Sequence, residues 1–203
     1  MSCGIVRNIQ TTRCFLLYSI AHISCFVIRR AVLAMASLLC LLLCSPAWAT
    51  DALDISVGLK ILPLVNGRSL DSLSIAIVFD PASSESKADG EFIKNGIANA
   101  AEILNEPRLA IHLVNINTLD QLSGSKMVFI ARSVSSAHFD AISHAAALNG
   151  ALTLSTDLEC VKSHKCVVGI VSQPHVEIYY SPAAAANSHI SFSSTFTMLV
   201  RQI

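Results

Sequence analysis

Apolar positions along this chain change their spacing several times after residue 73, and each change marks a predicted element. A short apolar run bounded by turn residues is typical of a buried strand. Ser74 to Phe79 (SIAIVF) is such a run, and Asp80-Pro81 ends it. Alternation around His112 predicts a strand at Leu109 to Ile116, and further strands are predicted at Met127 to Ala131, Ala151 to Ser155, Val167 to Val171 and Val176 to Tyr180. We expect the last two strands to form an antiparallel pair.

Helical spacing fills several of the stretches between these strands. After a loop from Ala82 to Ser86, one predicted helical face consists of Ile93, Ile97, Ala100, Ala101 and Leu104, with Pro107 beyond it. A second face, between Ser136 and Leu148, consists of Phe139, Ile142, Ala145 and Ala146, and Asn149-Gly150 supplies the closing turn. The last helix, from about Ser191, is predicted to dock through Phe192, Phe196, Leu199, Val200 and Ile203.

The stretch from Ala52 to Leu62 does not decide between strand and helix. Its apolar residues alternate as in a strand at Ile55, Val57, Leu59 and Ile61, whereas Ala52, Ile55, Leu59 and Leu62 would share a helical face. Elsewhere strands alternate with helices, which is typical of βαβ units. We therefore predict a single α/β domain with a mainly parallel sheet and helices on both faces, layered as in Rossmann-like and flavodoxin-like folds.

Charge divides the chain near residue 50. The first 49 residues hold four arginines and neither Asp nor Glu, whereas the rest hold ten basic and fourteen acidic residues, a net charge of −4. Arg29-Arg30, the apolar run Ala31 to Cys44 and the small residues before Thr50 follow the order of a signal peptide. We predict cleavage between Ala49 and Thr50, so that residues 1–49 are a leader and residues 50–203 are a periplasmic domain.

Two alternatives to this interpretation stay open. The run Ala31 to Cys44 could be kept as a membrane anchor, although it is shorter than the roughly 20 residues that span a bilayer. A second apolar run, Phe15 to Ile28, precedes the arginine pair, so the upstream part of the leader could reflect a start codon assigned too early. After cleavage, we expect no stable membrane insertion of the mature form.

Removal of the leader would leave two of the seven cysteines, Cys160 and Cys166. An even number of cysteines in an oxidising compartment favours a disulfide. The alternative is a metal site, because His164 lies between the two cysteines, but a structural zinc would need a fourth ligand. We predict a disulfide, and we predict neither a metal nor a cofactor.

The sequence contains no recognised catalytic motif, such as a glycine-rich phosphate loop, a Gly-x-Ser-x-Gly elbow or a His-Glu-x-x-His sequence. A ligand would bind beyond the carboxyl ends of the parallel strands. The polar candidates there are Asp80, Ser83, Ser84, Ser86, Arg132-Ser133 and Ser155-Thr156-Asp157. The basic residues of the mature domain form no patch, so we do not expect nucleic-acid binding.

Several segments resemble the YfiR-like family of periplasmic proteins. Lys126 to Ala131 (KMVFIA) and Ala151 to Ser155 (ALTLS) are similar to two strands of that family, and Cys160 to Ile170 comes next. Val176 to Val200 resembles the family's ending, and Gly58 to Leu62 and the Ser74 strand are weaker matches. The likeness covers most of the mature chain.

Three features depart from the family pattern. Ser181 replaces the usual Asn, the cysteine-bearing loop replaces a Gly-Gly-Met-Ile segment, and Leu62-Pro63-Leu64 stands where an aromatic motif is usual. The resemblance implies an α/β fold and a helix across Ile55 to Leu62. It also implies a repressor that binds the periplasmic sensor region of a membrane-anchored diguanylate cyclase, with disulfides that keep the repressor folded.

Two functional hypotheses follow. In the first, the protein is a non-enzymatic periplasmic regulator that contacts an inner-membrane signalling protein, with a homodimer left open. In the second, it is a small periplasmic solute-binding protein of a transport system that uses the crevice at the strand ends.

Overall fold

A computed structural model describes residues 50–67, 73–103 and 109–203. The chain divides between Trp48 and Ala49, and every described residue belongs to the second unit, Ala49–Ile203. The predicted leader, residues 1–49, lies outside the described residues, as do Leu104 and Pro107 of the first predicted helix. Thr50 is therefore the one described residue of the predicted cleavage site.

The described residues form strands and helices in alternation. In chain order the elements are α1 (Ala52–Ile61), β1 (Ser74–Phe79), α2 (Ser84–Ile103), β2 (Ala110–Asn115), β3 (Met127–Ile130), α3 (Phe139–Leu148), β4 (Leu152–Ser155), α4 (Leu158–Lys162), β5 (Val168–Val171), β6 (Glu177–Tyr180), α5 (Pro182–Asn187), α6 (Ser194–Leu199) and β7 (Arg201–Gln202). Short 3-10 turns lie at Leu62–Leu64, Leu119–Leu122 and Ser136–His138. Each predicted strand is present, and no end differs by more than one residue.

The seven strands form one sheet in the order β2-β1-β3-β4-β5-β6-β7. Strands β1 to β5 run parallel to one another. Strand β6 runs antiparallel to β5, with Val168 opposite Tyr180, and β7 runs parallel to β6. The predicted mainly parallel sheet and its antiparallel pair near the C-terminus are therefore confirmed.

Helices cover both faces of this sheet, because alternate residues of a strand point to opposite sides. Ile75 and Ile77 of β1 pack in one cluster with Ile55 of α1 and Ile93 and Ile97 of α2. Ala76 and Val78 of the same strand pack in a second cluster, whose helical members are Phe139, Ile142 and Ala146 of α3 and Cys160 and Val161 of α4. In the part of the chain described, no helix is long and apolar enough to cross a bilayer.

The stretch with the undecided pattern is the helix α1. A reciprocal cap begins it: the Asp54 amide donates to Asp51 Oδ1 at 2.8 Å, and the Asp51 amide donates to Asp54 Oδ2 at 2.9 Å. This pair satisfies two amides that a helix start leaves without partners. Local capping therefore favours the helix in a segment whose apolar spacing fits both a helix and a strand.

Two predicted segments have wrong boundaries. The loop predicted from Ala82 to Ser86 is shorter, because the Ser83 hydroxyl accepts from the Ser86 amide at 3.1 Å and α2 begins at Ser84. The last helix, α6, begins at Ser194 instead of near Ser191 and ends at Leu199 instead of continuing to Ile203, and the Leu199 side chain is exposed instead of docked. Beyond it the backbone extends and pairs with β6, and the Ile203 amide donates to the Tyr180 carbonyl at 2.9 Å.

Candidate functional site

The parallel strands end at one edge of the sheet, which we call the carboxyl edge, and polar residues follow several of them there. The order β2-β1-β3 makes the chain leave β1 and β3 on opposite sides, which creates a switch point between these two strands. Asp80 follows β1, Arg132 comes shortly after β3, Thr156 follows β4 and Ser172 follows β5. Ligands of open α/β sheets bind at this edge, so it is the first place to look for a site.

Asp89, on α2, lies buried at this edge and accepts three hydrogen bonds. The Thr50 amide donates to Oδ1 at 3.2 Å, while the Thr50 hydroxyl and the Arg132 amide donate to Oδ2 at 3.0 Å and 2.8 Å. The Thr50 hydroxyl oxygen is also 3.0 Å from the Thr156 hydroxyl oxygen. The Asp89 carboxylate therefore joins Thr50 to the segment that leaves β3, and the Thr50 hydroxyl contacts the segment that leaves β4.

Asp51 and Asp54 form a second polar cluster at the start of α1. Burial alone would raise the pKa of Asp51, but hydrogen bonds from the Asp54 amide, Ser172 and Gln173 outweigh it and hold that pKa below its usual value. The Ser172 hydroxyl donates to Asp51 Oδ2 at 2.8 Å. Burial raises the pKa of Asp54, whose Oδ1 has no hydrogen-bond partner among the described residues.

The polar residues predicted to line the crevice mostly serve local turns. Asp80 accepts from the Ala82 amide at 2.8 Å, and the Ser86 hydroxyl accepts from the Asp80 amide at 3.0 Å. The Ser155 hydroxyl accepts from the Asp157 amide at 3.0 Å. Each of these groups therefore bonds to the backbone of its own turn.

Sequence reasoning missed Thr50, Asp51, Asp54, Asp89 and Ser172 as members of this edge. A signal for Asp89 was available, because it lies four residues before Ile93 and eight before Ile97, on the apolar face of the same helix. A carboxylate on a buried helical face requires hydrogen-bond partners. The pattern Asp51-x-x-Asp54 was likewise a signal, since it has the spacing of a capping box.

Cys160 and Cys166 are bonded to each other. Cys160 lies in α4 and Cys166 comes just before β5; both are buried, and their Cα atoms are 5.2 Å apart. Their sulfurs are therefore not free to bind a metal, and among the described residues no cluster of His, Cys, Asp and Glu is placed to hold one. His164, between them, has a left-handed backbone (φ 59°), and its Nδ1 lies 3.0 Å from the Ser181 hydroxyl.

The sheet order begins at β2 and ends at β7, and an exposed apolar surface lies at the β7 end. We call this surface the C-terminal edge and define it as Met198, Leu199, Arg201, Gln202 and Ile203. Met198 and Leu199 expose 83% and 79% of their surface. Arg201 forms an ion pair with Glu177 at 2.7 Å, and its guanidinium lies 6.0 Å from the centre of the Tyr179 ring. The hydrogen bond that Tyr179 donates to Glu177, and to a lesser extent burial, raises the pKa of Tyr179.

The fold defines a class of proteins with an open, mainly parallel α/β sheet, and solved structures share it. A conserved domain protein from Vibrio cholerae is 10% identical with a TM-score of 0.52, and the match covers 74% of this chain and 59% of that one. An ABC domain in complex with L-Trp from Streptococcus pneumoniae is 10% identical with a TM-score of 0.54, over 74% of this chain and 60% of that one.

The chain therefore spans about three fifths of the length of each of these structures. At this level of identity the likeness shows the fold alone. The chain matches no protein-family model and no curated protein sequence.

Proposed function

We propose that this protein is a non-enzymatic regulator of the bacterial envelope that acts by contact with an inner-membrane signalling protein, such as a diguanylate cyclase. The observation that carries the proposal is the C-terminal edge, where two large apolar side chains of α6 are almost fully exposed. Exposed apolar side chains grouped together and surrounded by polar groups are typical of protein-binding surfaces.

The backbone of β7 supports the same proposal. This strand is the last in the sheet order, and in the described part of the chain no other strand pairs with its outer side. An open edge strand can accept a strand from a partner, while apolar side chains nearby provide the buried contact. Arg201 and Tyr179 lie beside it, and both residue types are common in the energetically important parts of interfaces.

A regulator of this kind works through a difference in affinity. It favours the inactive state of its target only to the extent that it binds that state more tightly than the active one. Unlike the exposed side chains of the C-terminal edge, the polar groups of the carboxyl edge bond mainly to one another.

Site-specific photo-crosslinking in the producing bacterium tests the proposal. A crosslinking residue at position 198 is expected to capture an inner-membrane protein, because Met198 would be covered by the target. Leu148 is a matched control: it is exposed to 76%, but it precedes β4 and therefore lies toward the amino ends of the parallel strands. Equal capture from both positions, or none from position 198, would contradict the proposal.

A solute-binding role is the second candidate, and one observation favours it. One structure with this fold is a complex with L-Trp, and the carboxyl edge of the present sheet has buried polar groups. A solute-binding protein would show a higher melting temperature with its ligand present, since binding to the folded state stabilises it by mass action. A thermal-shift series with L-Trp and other free amino acids measures this directly.

A further inference from the structure

We infer that Asp89 is the binding site for the α-amino group that cleavage after Ala49 would leave on Thr50. The inference depends on that cleavage, and it does not depend on the proposed regulatory function. Its basis is the contact between the Thr50 nitrogen and Asp89 Oδ1 at 3.2 Å. In the uncleaved chain this nitrogen is a neutral amide, whereas after cleavage it would be an ammonium group.

The surroundings of Asp89 suit a positive partner. Its side chain is buried, and the three donors described around it, from Thr50 and from the Arg132 backbone, are all neutral. A buried carboxylate is costly unless it is paired or fully hydrogen-bonded. An ammonium group at the Thr50 nitrogen would place a compensating charge at the carboxylate and turn a neutral hydrogen bond into a charge-assisted one.

The Thr50 side chain fixes the position of this nitrogen. Its hydroxyl donates to Asp89 Oδ2, so the oxygen is free to accept from Thr156, whose hydroxyl oxygen lies 3.0 Å away. Thr50 is thus held through its backbone nitrogen and its hydroxyl, which contact α2 and the segment after β4. A new chain end here would be ordered, in contrast to most chain ends, which are mobile unless they are tied down.

The consequence is that processing and stability are linked. Cleavage at this bond would strengthen the contact that joins residue 50 to α2 and to the segments after β3 and β4. The mature protein would then be more stable than a form that begins even one residue earlier, because an added residue would move the ammonium group by about 3.8 Å.

A two-by-two comparison of exported proteins tests this. The full chain is produced with its leader, either unchanged or with one glycine inserted between Ala49 and Thr50, and each form carries either Asp89 or Asp89→Asn. Intact mass identifies the first residue of each purified protein. With Asp89, the form that begins at Thr50 is expected to melt about 3 °C higher than the glycine-extended form.

With Asp89→Asn the difference between the two forms should fall below about 1 °C, because the charged partner is gone. An equal difference in both backgrounds would overturn the inference, and so would a mature protein that begins at another residue.

If the Asp89→Asn protein does not accumulate, the reactivity of the N-terminal amine tests the inference instead. In the two Asp89 proteins, labelling with an amine-specific ester at pH 7 is followed on the N-terminal peptide by mass spectrometry. The Thr50 amine is expected to react at least about 10-fold more slowly than the amine of the inserted glycine, because the buried contact removes it from solvent. Equal labelling rates would overturn the inference.

Discussion

Asp51 and Asp54 are three residues apart at the start of α1, yet their pKa values depart from the usual value in opposite directions. The lowered pKa of Asp51 means that its contribution to stability is present above the unfolded pKa of about 3.9 and is lost as pH falls through the folded pKa. The raised pKa of Asp54 means the reverse. Its ionised form costs stability at neutral pH, and that cost disappears as pH falls through its folded pKa.

Asp54→Asn should therefore raise the melting temperature at pH 7, by about 1–2 °C. The amide keeps an oxygen that can accept from the Asp51 backbone and removes the buried charge. Differential scanning fluorimetry between pH 3 and pH 8 measures the effect, and the gain over the wild type should shrink toward the acid end. Asp54→Ala is the control, because it removes the cap and should lower the melting temperature. A lower melting temperature for Asp54→Asn at pH 7 would show that the ionised Asp54 carboxylate stabilises the fold, contrary to this expectation.

The residues of the carboxyl edge also show what a sequence can and cannot reveal about a site. Asp89 was detectable in principle, since it continues the apolar face of Ile93 and Ile97. Its partners Thr50 and Arg132 were not, because they come from distant segments that only the sheet topology brings together, as does Thr156, which contacts Thr50. Helical spacing predicts which residue is buried, whereas long-range pairing depends on the fold.

At the scale of elements, buried strands were the most predictable part of the chain. Strands β1 and β3 to β5 are almost fully buried, and their sequences are mainly apolar, although β4 also buries Thr153 and Ser155. The last helix was predicted too long for an identifiable reason. Leu199 and Ile203 have the right spacing to extend its apolar face, but the free edge of β6 offers backbone hydrogen bonds that end the helix earlier.

The helix α4 and its disulfide were only partly predicted. Cysteine counting predicted the bond between Cys160 and Cys166, whereas the helix that holds Cys160 is too short to show a period. Gly169 of β5 allows this helix to lie close to the sheet. A Cβ atom added at Gly169 would be 2.7 Å from Val161 Cγ2, closer than side chains normally approach.

Replacing Cys160 and Cys166 by alanine should destabilise the domain. The seven-residue loop from Cys160 to Cys166 contributes about 2.4 kcal/mol in the chain-entropy estimate, which corresponds to a melting temperature lower by about 5–10 °C. Thermal unfolding of the domain of residues 50–203 measures this. Reductant should lower the melting temperature of the wild type by a similar amount and leave the double variant unchanged. Two titratable thiols in the oxidised wild-type protein would contradict the prediction.

At the scale of the whole molecule, one aromatic cluster attaches the C-terminal edge to the core, in addition to the pairing of β7 with β6. Phe192 and Phe196 stack with ring centres 4.2 Å apart, and the Tyr180 ring is roughly perpendicular to both, with its centre 5.4 Å from Phe192 and 6.0 Å from Phe196. These rings belong to the core cluster on one sheet face, whereas Met198 and Leu199, in the same short helix as Phe196, point to solvent. The surface proposed to bind a partner is therefore held by a few buried side chains at the end of the sheet.

Phe196→Ala should release this edge while the rest of the sheet stays folded. The substitution removes a buried ring, a change that typically costs about 3–5 kcal/mol, and the loss falls where few other contacts hold α6 and β7. Hydrogen exchange followed by mass spectrometry is expected to show lost protection across residues 194–203 and retained protection in β1, β3 and β4. Phe92→Ala is the matched control, because Phe92 is half exposed on α2 and its truncation should leave both regions protected. Uniform loss of protection in Phe196→Ala would show that the C-terminal edge unfolds only together with the whole domain.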